Sequence, residues 1–369
     1  MLKHVIEPYR LWWENKNTKP LFAIYNEGAK FESDRFRKDW MDRRLYAGTA
    51  LAQGMELTVR TGNFRFLDDA VDFVYQHLKT FEFEGEAFPH VELNLGPGVV
   101  AAFITGYSRY GDGTVWFEPP ESWSWEEILR LDPEVESHYA RVALEGIERI
   151  ADFFKGIAVV SQTDLGGILD ILASLRSTGQ LLLDIHDCPD VVNEASEIVE
   201  KFWQHYFSKI ADIIVPCNDG LYTTWMYLLS DSTFYPSQCD FSAMISPECF
   251  ADIVHPSLRR EARFAGSMVY HLDGTGELPH VEQILTIEQL HAIQWVAEPG
   301  MDHELSDTWY PLYRQIIDGG KKVVLYYLPP NLGAVKKLLR VFPKESFYLE
   351  FYVQNHSDAV ELLRLRDSL

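Results

Sequence analysis

The chain has 369 residues, of which 47% are hydrophobic and 24% charged, which is enough for one large domain or for two. Its formal net charge of -22 argues against nucleic acid and against an anionic membrane surface as partners, because binding to either needs clustered Lys and Arg. No apolar run approaches the roughly 20 residues that span a bilayer, and the first residues do not have the pattern of a signal peptide.

The four cysteines, Cys188, Cys217, Cys239 and Cys249, do not have the CxxC spacing of a metal or redox motif. We therefore expect four free thiols, which is usual in a reducing compartment. Because no secretory pattern accompanies them, the sequence indicates a cytoplasmic protein.

Residues 1–85 are charged and aromatic, and their pattern predicts helices at residues 34–54 and 66–79. We expect this part of the chain to be an N-terminal helical elaboration. It would pack on a larger domain formed by residues 86–369.

From residue 88 onward, short apolar runs alternate with helices, which is typical of a parallel α/β sheet. The predicted strands are residues 91–95, 157–162, 223–228, 234–240, 267–271, 292–296, 322–327 and 347–353. Eight strands with intervening helices over about 280 residues fit a (β/α)8 TIM barrel, which typically has about 250. The alternative, an open doubly wound sheet, is disfavoured because no Gly-rich phosphate loop follows any strand.

The segment 266–274 is an apolar run that ends in His271 and is followed by Asp273 and Gly274. Side chains alternate along a strand, so His271 and Asp273 would point in the same direction. A histidine and a carboxylate side by side at a strand end form half of a metal site or of an acid/base pair.

Active sites of barrels lie at the carboxyl ends of the strands. The residues at or just after the predicted strand ends are Asn94, Gln162, Asp164, Trp225, Gln238, Asp240, His271, Asp273, Glu298, Glu350 and Tyr352. Together they predict one polar cavity, although each could singly be a loop polar group or a cap, as for Asp164 and Asp273 next to glycine. Glu298 follows an apolar strand and predicts a metal ligand or general base; a salt bridge is the alternative.

Aromatic residues of the predicted strands could line a substrate pocket or pack in the core, and the sequence leaves both open. They are Trp225, Tyr270, Trp295, Tyr326 and Tyr352.

Four segments carry a resemblance to a known family: residues 94–98, 240–250, 266–274 and 284–300. From about residue 85 to its last residue, the chain resembles the uroporphyrinogen decarboxylase superfamily. That superfamily contains decarboxylases and zinc-dependent, corrinoid-linked methyltransferases, and the resemblance implies a (β/α)8 barrel. A homodimer is also implied by the resemblance alone.

The chain departs from the decarboxylases in its N-terminal region. Their Arg-Gln-Ala-Gly-Arg segment binds the carboxylates of a porphyrinogen, whereas the corresponding residues 21–28 contain no arginine and include Glu27. A polyanionic tetrapyrrole would be repelled by such a site. We therefore expect a substrate other than a porphyrinogen.

The chain departs from the methyltransferases as well. Their zinc is held by a His-x-Cys pair and a second Cys on the last strand, and the resemblance places His271, Asp273 and Glu350 at these positions. One histidine and two carboxylates can bind Zn²⁺ with an open coordination position. This harder ligand set would favour polarising an oxygen of a small organic substrate over activating a thiol.

The leading hypothesis is a zinc-dependent methyltransferase or demethylase that acts on a small organic substrate with a corrinoid protein as partner. Metal-free decarboxylase or lyase chemistry and a non-catalytic binding barrel are the alternatives. The predicted catalytic residues are Glu298, Asp240, Asp164 and Gln162. The predicted substrate-binding residues are Asn94, Trp225, Gln238, Tyr270, Trp295 and Tyr352, and the predicted metal ligands are His271, Asp273 and Glu350.

Overall fold

A seven-stranded sheet lies at the centre of the protein, in a computed structural model that describes residues 2, 5–28, 30–42, 47–111 and 113–368. The strands of the chain are β1 (Leu21–Glu27), β2 (Phe81–Gly85), β3 (His90–Val91), β4 (Arg109–Gly111), β5 (Thr114–Trp116), β6 (Val159–Val160), β7 (Tyr235–Ser237), β8 (Met268–Asp273), β9 (Leu290–Val296), β10 (Lys322–Leu328) and β11 (Phe347–Val353).

The strand order in the central sheet is β2-β1-β11-β10-β9-β8-β7. All neighbours are parallel except β1 and β2, which pair in antiparallel orientation. A separate parallel pair joins β3 to β6, and β4 and β5 form a small antiparallel hairpin. The carboxyl ends of the parallel strands therefore all lie on the same side of the sheet, above the ends of the strands.

Helices connect these strands. They are α1 (Ile6–Trp13), α2 (Ser33–Phe36), α3 (Ala47–Thr61), α4 (Arg65–Leu78), α5 (Val100–Thr105), α6 (Trp125–Leu129), α7 (His138–Phe154), α8 (Ile168–Arg176), α9 (Thr178–Asp187), α10 (Pro189–Cys217), α11 (Pro247–Cys249), α12 (His255–Ala265), α13 (Val281–Ile284), α14 (Tyr310–Asp318), α15 (Leu332–Val341) and α16 (His356–Asp367). A π-helical segment, Phe250–Val254, joins α11 to α12. Within the described ranges, none of the helices has both the length and the apolar composition needed to cross a lipid bilayer.

The predicted α/β class with a mostly parallel sheet is confirmed, whereas a closed barrel is not shown. Among the described strands, hydrogen bonding stops at β2 on one edge of the sheet and at β7 on the other. β3 and β6 are only two residues long. A closed barrel, in which the seven-stranded sheet and the β3–β6 pair would curve toward one another, therefore stays a prediction.

The predicted boundary at residue 85 does not separate a helical elaboration from the sheet. β1 and β2 precede that boundary, and β1 pairs with β11 along six residues from Leu21 to Asn26. β1 was missed because its side chains are buried on both faces, which produces a continuous apolar run in place of alternation. The predicted helix at 66–79 is present as α4, and that at 34–54 is interrupted between α2 and α3, with residues 43–46 outside the described part.

The predicted strand at 223–228 is reduced to one parallel bridge, between Thr224 and Gln162. The chain folds back here, because the backbones of Tyr222 and Ser230 exchange two hydrogen bonds of 2.8 and 2.9 Å. Within the turn Tyr227 has a φ of 48°, which a strand does not allow. We call residues 222–230 the folded-back turn.

The sharp end of β2 depends on a glycine. Gly85 has a φ of +64°, and a Cβ atom there would overlap the carbonyl oxygen of Phe22 on β1. That carbonyl also accepts a hydrogen bond from the amide of Glu86. The close approach of β2 to β1 therefore requires that residue 85 lack a side chain.

We predict that Gly85→Ala lowers the free energy of unfolding by at least about 2 kcal/mol, through left-handed strain and overlap with Phe22. Urea denaturation measures this change. The matched control is Gly179→Ala in α9, where a Cβ meets nothing within 4 Å and alanine favours the helix. Equal stability of the two variants would contradict the role assigned to Gly85.

Candidate functional site

Two adjoining cavities lie where the carboxyl halves of several parallel strands meet the folded-back turn. The polar chamber has a volume of about 450 Å³ and is lined by Trp225, His271, Gln294, Trp295, Val296, His303, Glu304 and Tyr326. The aromatic chamber has a volume of about 220 Å³ and is lined by Tyr25, Gly48, Val74, His77, Leu78, Phe81, Phe83, His90, Val91 and Tyr352. Glu92, Tyr227 and Tyr327 line both chambers and separate them.

His271 lies on β8 and is held in a defined orientation. Its Nδ1 is 2.6 Å from Oε1 of Gln294 on β9, and the ring of Trp225 stands edge-on to it at 5.1 Å. Because an amide oxygen only accepts hydrogen bonds, Nδ1 carries a proton and donates it to Gln294. Nε2 is then the ring nitrogen that remains to bind a ligand or accept a proton.

Glu92, two residues before Asn94, is the carboxylate between the two chambers. It follows β3 directly and accepts a hydrogen bond of 2.9 Å from the hydroxyl of Tyr227. Burial raises the pKa of Glu92 to about 7, while the Tyr227 hydroxyl opposes this rise and the nearby Asp164 adds to it. A carboxyl group with a pKa near neutrality can both donate and accept a proton under physiological conditions.

Tyr227 and Tyr327 both have left-handed backbone conformations, with φ of 48° and 52°. Large side chains are rare in this region, and such positions typically cost about 1–3 kcal/mol. Both side chains line the boundary between the chambers. The strain is therefore located where the two chambers meet.

Stacked rings form one wall of the aromatic chamber. Tyr352 stacks between Tyr25 and Tyr327, with ring centroids 5.2 and 5.3 Å away. On another side, the rings of His90 and Tyr227 are 3.7 Å apart. Burial lowers the pKa of His90 to about 4, so this ring is neutral near pH 7. The chamber walls are thus aromatic and, apart from Glu92, uncharged.

The structure places three predicted carboxylates near His271. The pKa of Asp164 is raised to about 6, chiefly by burial, with Asp240 raising it further and His271 opposing the rise. Asp240 lies at the surface beside this group, and its pKa is raised by partial burial and by Asp273, with His271 again opposing. Asp273 is exposed at the end of β8. The charges of Asp164 and Asp240 interact with His271, but none of the three carboxylates forms a hydrogen bond with it.

Glu350 is separated from the proposed zinc position. It lies in β11, whereas His271 lies in β8, and β9 and β10 stand between these strands. Glu350 is fully buried, and burial raises its pKa well above the usual value, with the backbone amide of Tyr327 offsetting part of the rise. The charge of Glu350 in turn adds to the burial that raises the pKa of the hydroxyl groups of Tyr9, Tyr25, Tyr227, Tyr326, Tyr348 and Tyr352.

The predicted zinc ligands His271, Asp273 and Glu350 therefore do not fit a metal ion in this structure. Over the residues described, one group of three potential ligand side chains comes within ligand distance of one another, Glu82, Glu84 and His356. This group lies on the outer side of β2, and it includes none of the predicted ligands. Exposed acidic groups of this kind are common without a metal.

Three predicted site residues have structural roles. The carboxylate of Glu298 accepts hydrogen bonds of 2.8 and 3.0 Å from the amide and hydroxyl of Thr275, and so caps the turn after β8. Asn94 accepts a bond from the amide of Gly96 at 2.9 Å. Gln162 is buried and donates to the carbonyl of Phe207 on α10 at 3.1 Å. For these residues the structure favours the cap or packing interpretation.

The remaining predicted substrate-binding residues divide between cavity and core. Trp225 and Trp295 line the polar chamber, and Tyr352 lines the aromatic chamber. Tyr270 is fully buried and its hydroxyl donates to Glu277 at 2.8 Å, on the side of β8 opposite His271. Gln238 is buried and is absent from the lining of both chambers.

Sequence reasoning missed Glu92, Gln294 and Tyr227, which define the site. Glu92 has a recognisable signal, because it is a carboxylate between the buried apolar residues Val91 and Leu93. Gln294 is similarly a polar residue within the apolar strand β9. Tyr227 has no comparable signal, because its position depends on a turn that the sequence pattern presents as a strand.

No protein-family model matches this chain, and no curated protein sequence matches it at a significant level. The resemblance to the uroporphyrinogen decarboxylase superfamily therefore rests on the segments at residues 94–98, 240–250, 266–274 and 284–300.

We predict that Tyr227→Phe raises the pKa of Glu92 above 7 by about one unit, because the lost hydroxyl stabilises the ionised carboxylate. Carbon-13 NMR titration of the Glu92 carboxyl carbon measures the change. Tyr310→Phe removes a hydroxyl that is remote from both chambers and is the control. An unchanged or lower pKa in Tyr227→Phe would refute the assignment.

We predict that Glu350→Gln stabilises the protein at pH 8 by at least about 1.4 kcal/mol, the equivalent of one pKa unit. A raised pKa means that the folded state keeps its proton while the unfolded state loses it, so stability is full below about pH 4 and falls as pH rises. Denaturation at pH 5 and pH 8 measures the difference. The exposed Glu361→Gln should show no such gain, and destabilisation by Glu350→Gln at pH 8 would contradict the prediction.

Proposed function

We propose that this chain is an enzyme of the lyase class that transfers protons to and from a small organic substrate without a bound metal. The observation that carries the proposal is Glu92, a carboxyl with a pKa near 7 that lines the polar chamber together with His271. A carboxyl that can donate and accept a proton, with an oriented imidazole in the same cavity, is an arrangement that suits general acid/base catalysis. Decarboxylation is the reaction of this class that the resemblance indicates.

The proposal includes a (β/α)8 barrel as the architecture. Contacts between the central sheet and the folded-back turn support it, since the Tyr326 hydroxyl on β10 donates to the carbonyl of Met226. On the other side of the turn, Thr224 forms a parallel bridge with Gln162, which directly follows the β6 region. Through these contacts β10 is connected across the cavity to the β3–β6 pair, as is expected of a closed barrel.

In the proposed reaction, the protonated form of Glu92 donates a proton to the substrate. For a decarboxylation, the bond to the carboxylate carbon breaks, carbon dioxide leaves, and the electron pair stays on the substrate carbon that takes this proton. Nε2 of His271 accepts the proton of a substrate that enters as the carboxylic acid, and Gln294 fixes the ring. After the product leaves, Glu92 regains a proton from solvent and His271 releases one to it. Tyr227 positions Glu92 through its hydroxyl.

The zinc-dependent methyltransferase is the second candidate. It is favoured by His271, a metal-type ligand in the cavity with Asp164 and Asp240 within electrostatic reach. Two carboxylates would have to move toward His271 to complete a site. A corrinoid protein as partner belongs to this candidate, and a homodimer and a cytoplasmic location are proposed with either, the latter supported by four free cysteines.

Metal analysis and substrate turnover distinguish the two candidates. We expect less than stoichiometric zinc in the purified protein and no change of metal content in His271→Ala. A panel of small carboxylic acids, followed by mass spectrometry, should yield a decarboxylated product that Glu92→Gln and His271→Gln each reduce by about 10²-fold or more.

The control variant is Glu148→Gln on the exposed face of α7, which should keep full activity. One tightly bound zinc per chain that is lost in His271→Ala would refute the proposal and favour the methyltransferase. Full turnover by Glu92→Gln would refute the role of Glu92.

A further inference from the structure

The carboxylates around the two chambers are not matched by cations. The pKa values of Glu92, Asp164 and Asp240 are all raised, chiefly by burial. None of the described residues lining either chamber is Lys or Arg. This end of the molecule therefore has a deficit of positive charge.

Some buried carboxylates elsewhere in the chain are paired with arginine, whereas Glu261, Glu277 and Glu350 are buried without an arginine partner among the described side chains. Asp184 receives a hydrogen bond of 2.7 Å from Arg176, and Glu200 receives one of 2.6 Å from Arg260. The carboxylates that line the chambers also lack such a partner, because no described Lys or Arg lines either chamber. Acidic groups in a cavity raise the local concentration of cations and repel anions.

The walls of the aromatic chamber suit a weakly hydrated cation. Eight of its lining residues have aromatic rings, Tyr25, His77, Phe81, Phe83, His90, Tyr227, Tyr327 and Tyr352. Aromatic cages attract alkylated ammonium groups through the ring quadrupoles, with about 0.5–2 kcal/mol for each interaction. A metal ion or a primary ammonium would instead need polar ligands to replace its water shell. The one carboxylate in the lining is Glu92.

We propose that the aromatic chamber binds the alkylated ammonium group of an organic cation. The counter-ion is the carboxylate form of Glu92, the form that is also left once Glu92 has donated its proton. This inference rests on the proposed function, because it names the substrate class of the same site. The reacting part of the substrate would extend past Tyr227 and Tyr327 into the polar chamber, next to His271. A substrate with one ammonium and one carboxylate group would be neutral overall and would avoid the repulsion expected for a polyanion.

Isothermal titration calorimetry on the full chain tests the proposal, with choline and its uncharged isostere 3,3-dimethylbutan-1-ol as probes. Tetramethylammonium and benzyltrimethylammonium extend the test to smaller and larger cations. We expect at least one cation to bind, and choline to bind about tenfold more tightly than its isostere, since one cation–π contact and one carboxylate supply at least 1.4 kcal/mol.

Two variants locate the binding. Glu92→Gln should weaken choline binding about tenfold while leaving the isostere unaffected. Phe81→Leu keeps an apolar side chain but removes a ring, and it should weaken choline binding severalfold, whereas Phe81→Tyr should restore it. Circular dichroism and thermal denaturation check that each variant is folded.

Equal binding of choline and its isostere would overturn the inference, as would tighter binding of the anion 3,3-dimethylbutanoate. Absence of binding for all three cations at concentrations on the order of 10 mM would overturn it as well. These outcomes are distinct from a failure of the proposed function. If Glu92→Gln and His271→Gln abolish turnover of an uncharged or anionic acid, the proton-transfer proposal stands and the cation inference fails.

Discussion

The hydrogen bond from the Tyr227 hydroxyl to the Glu92 carboxylate is the interaction on which the site depends. It joins the end of β3 to the folded-back turn, and it lies between the polar and aromatic chambers. The same turn is held from other directions, since the carbonyl of Leu229 accepts a 3.0 Å hydrogen bond from Trp13 and that of Met226 accepts one from Tyr326. These contacts keep Tyr227 in a left-handed conformation that a free chain would leave.

Charge distribution connects the site with the chemistry proposed for it. Burying carboxyl groups without basic partners costs free energy, and the protein reduces this cost by keeping some of them protonated. The pKa of Glu92 lies near neutrality, which suits proton transfer. The pKa of Glu350 is raised well above its usual value, which suits a neutral core residue. Burial and Asp164 raise the pKa of Glu92, and the absence of Lys and Arg from the described lining of both chambers would favour a positively charged ligand.

The sequence placed several strands correctly. β8 to β11 lie where their apolar and aromatic runs predict, and His271, Trp225 and Trp295 do line one cavity. The predictions were weakest where a polar residue at a strand end was read as functional, as for Glu298. Its carboxylate caps the turn at Thr275. A cap and a catalytic group have the same sequence pattern, because both are short polar side chains beside a glycine or at a helix start.

By itself, the sequence determined the α/β class, the placement of most core strands and the acidic character, since these follow from composition and local periodicity. Tertiary structure alone decided that β1 belongs to the sheet, that Glu350 lies apart from His271, and that Glu92 faces Tyr227. The physical reason is that pairing between distant segments, and the burial that shifts a pKa, depend on residues far apart in the chain. Glu92 and Tyr227 are separated by 135 positions, and no local pattern records their contact.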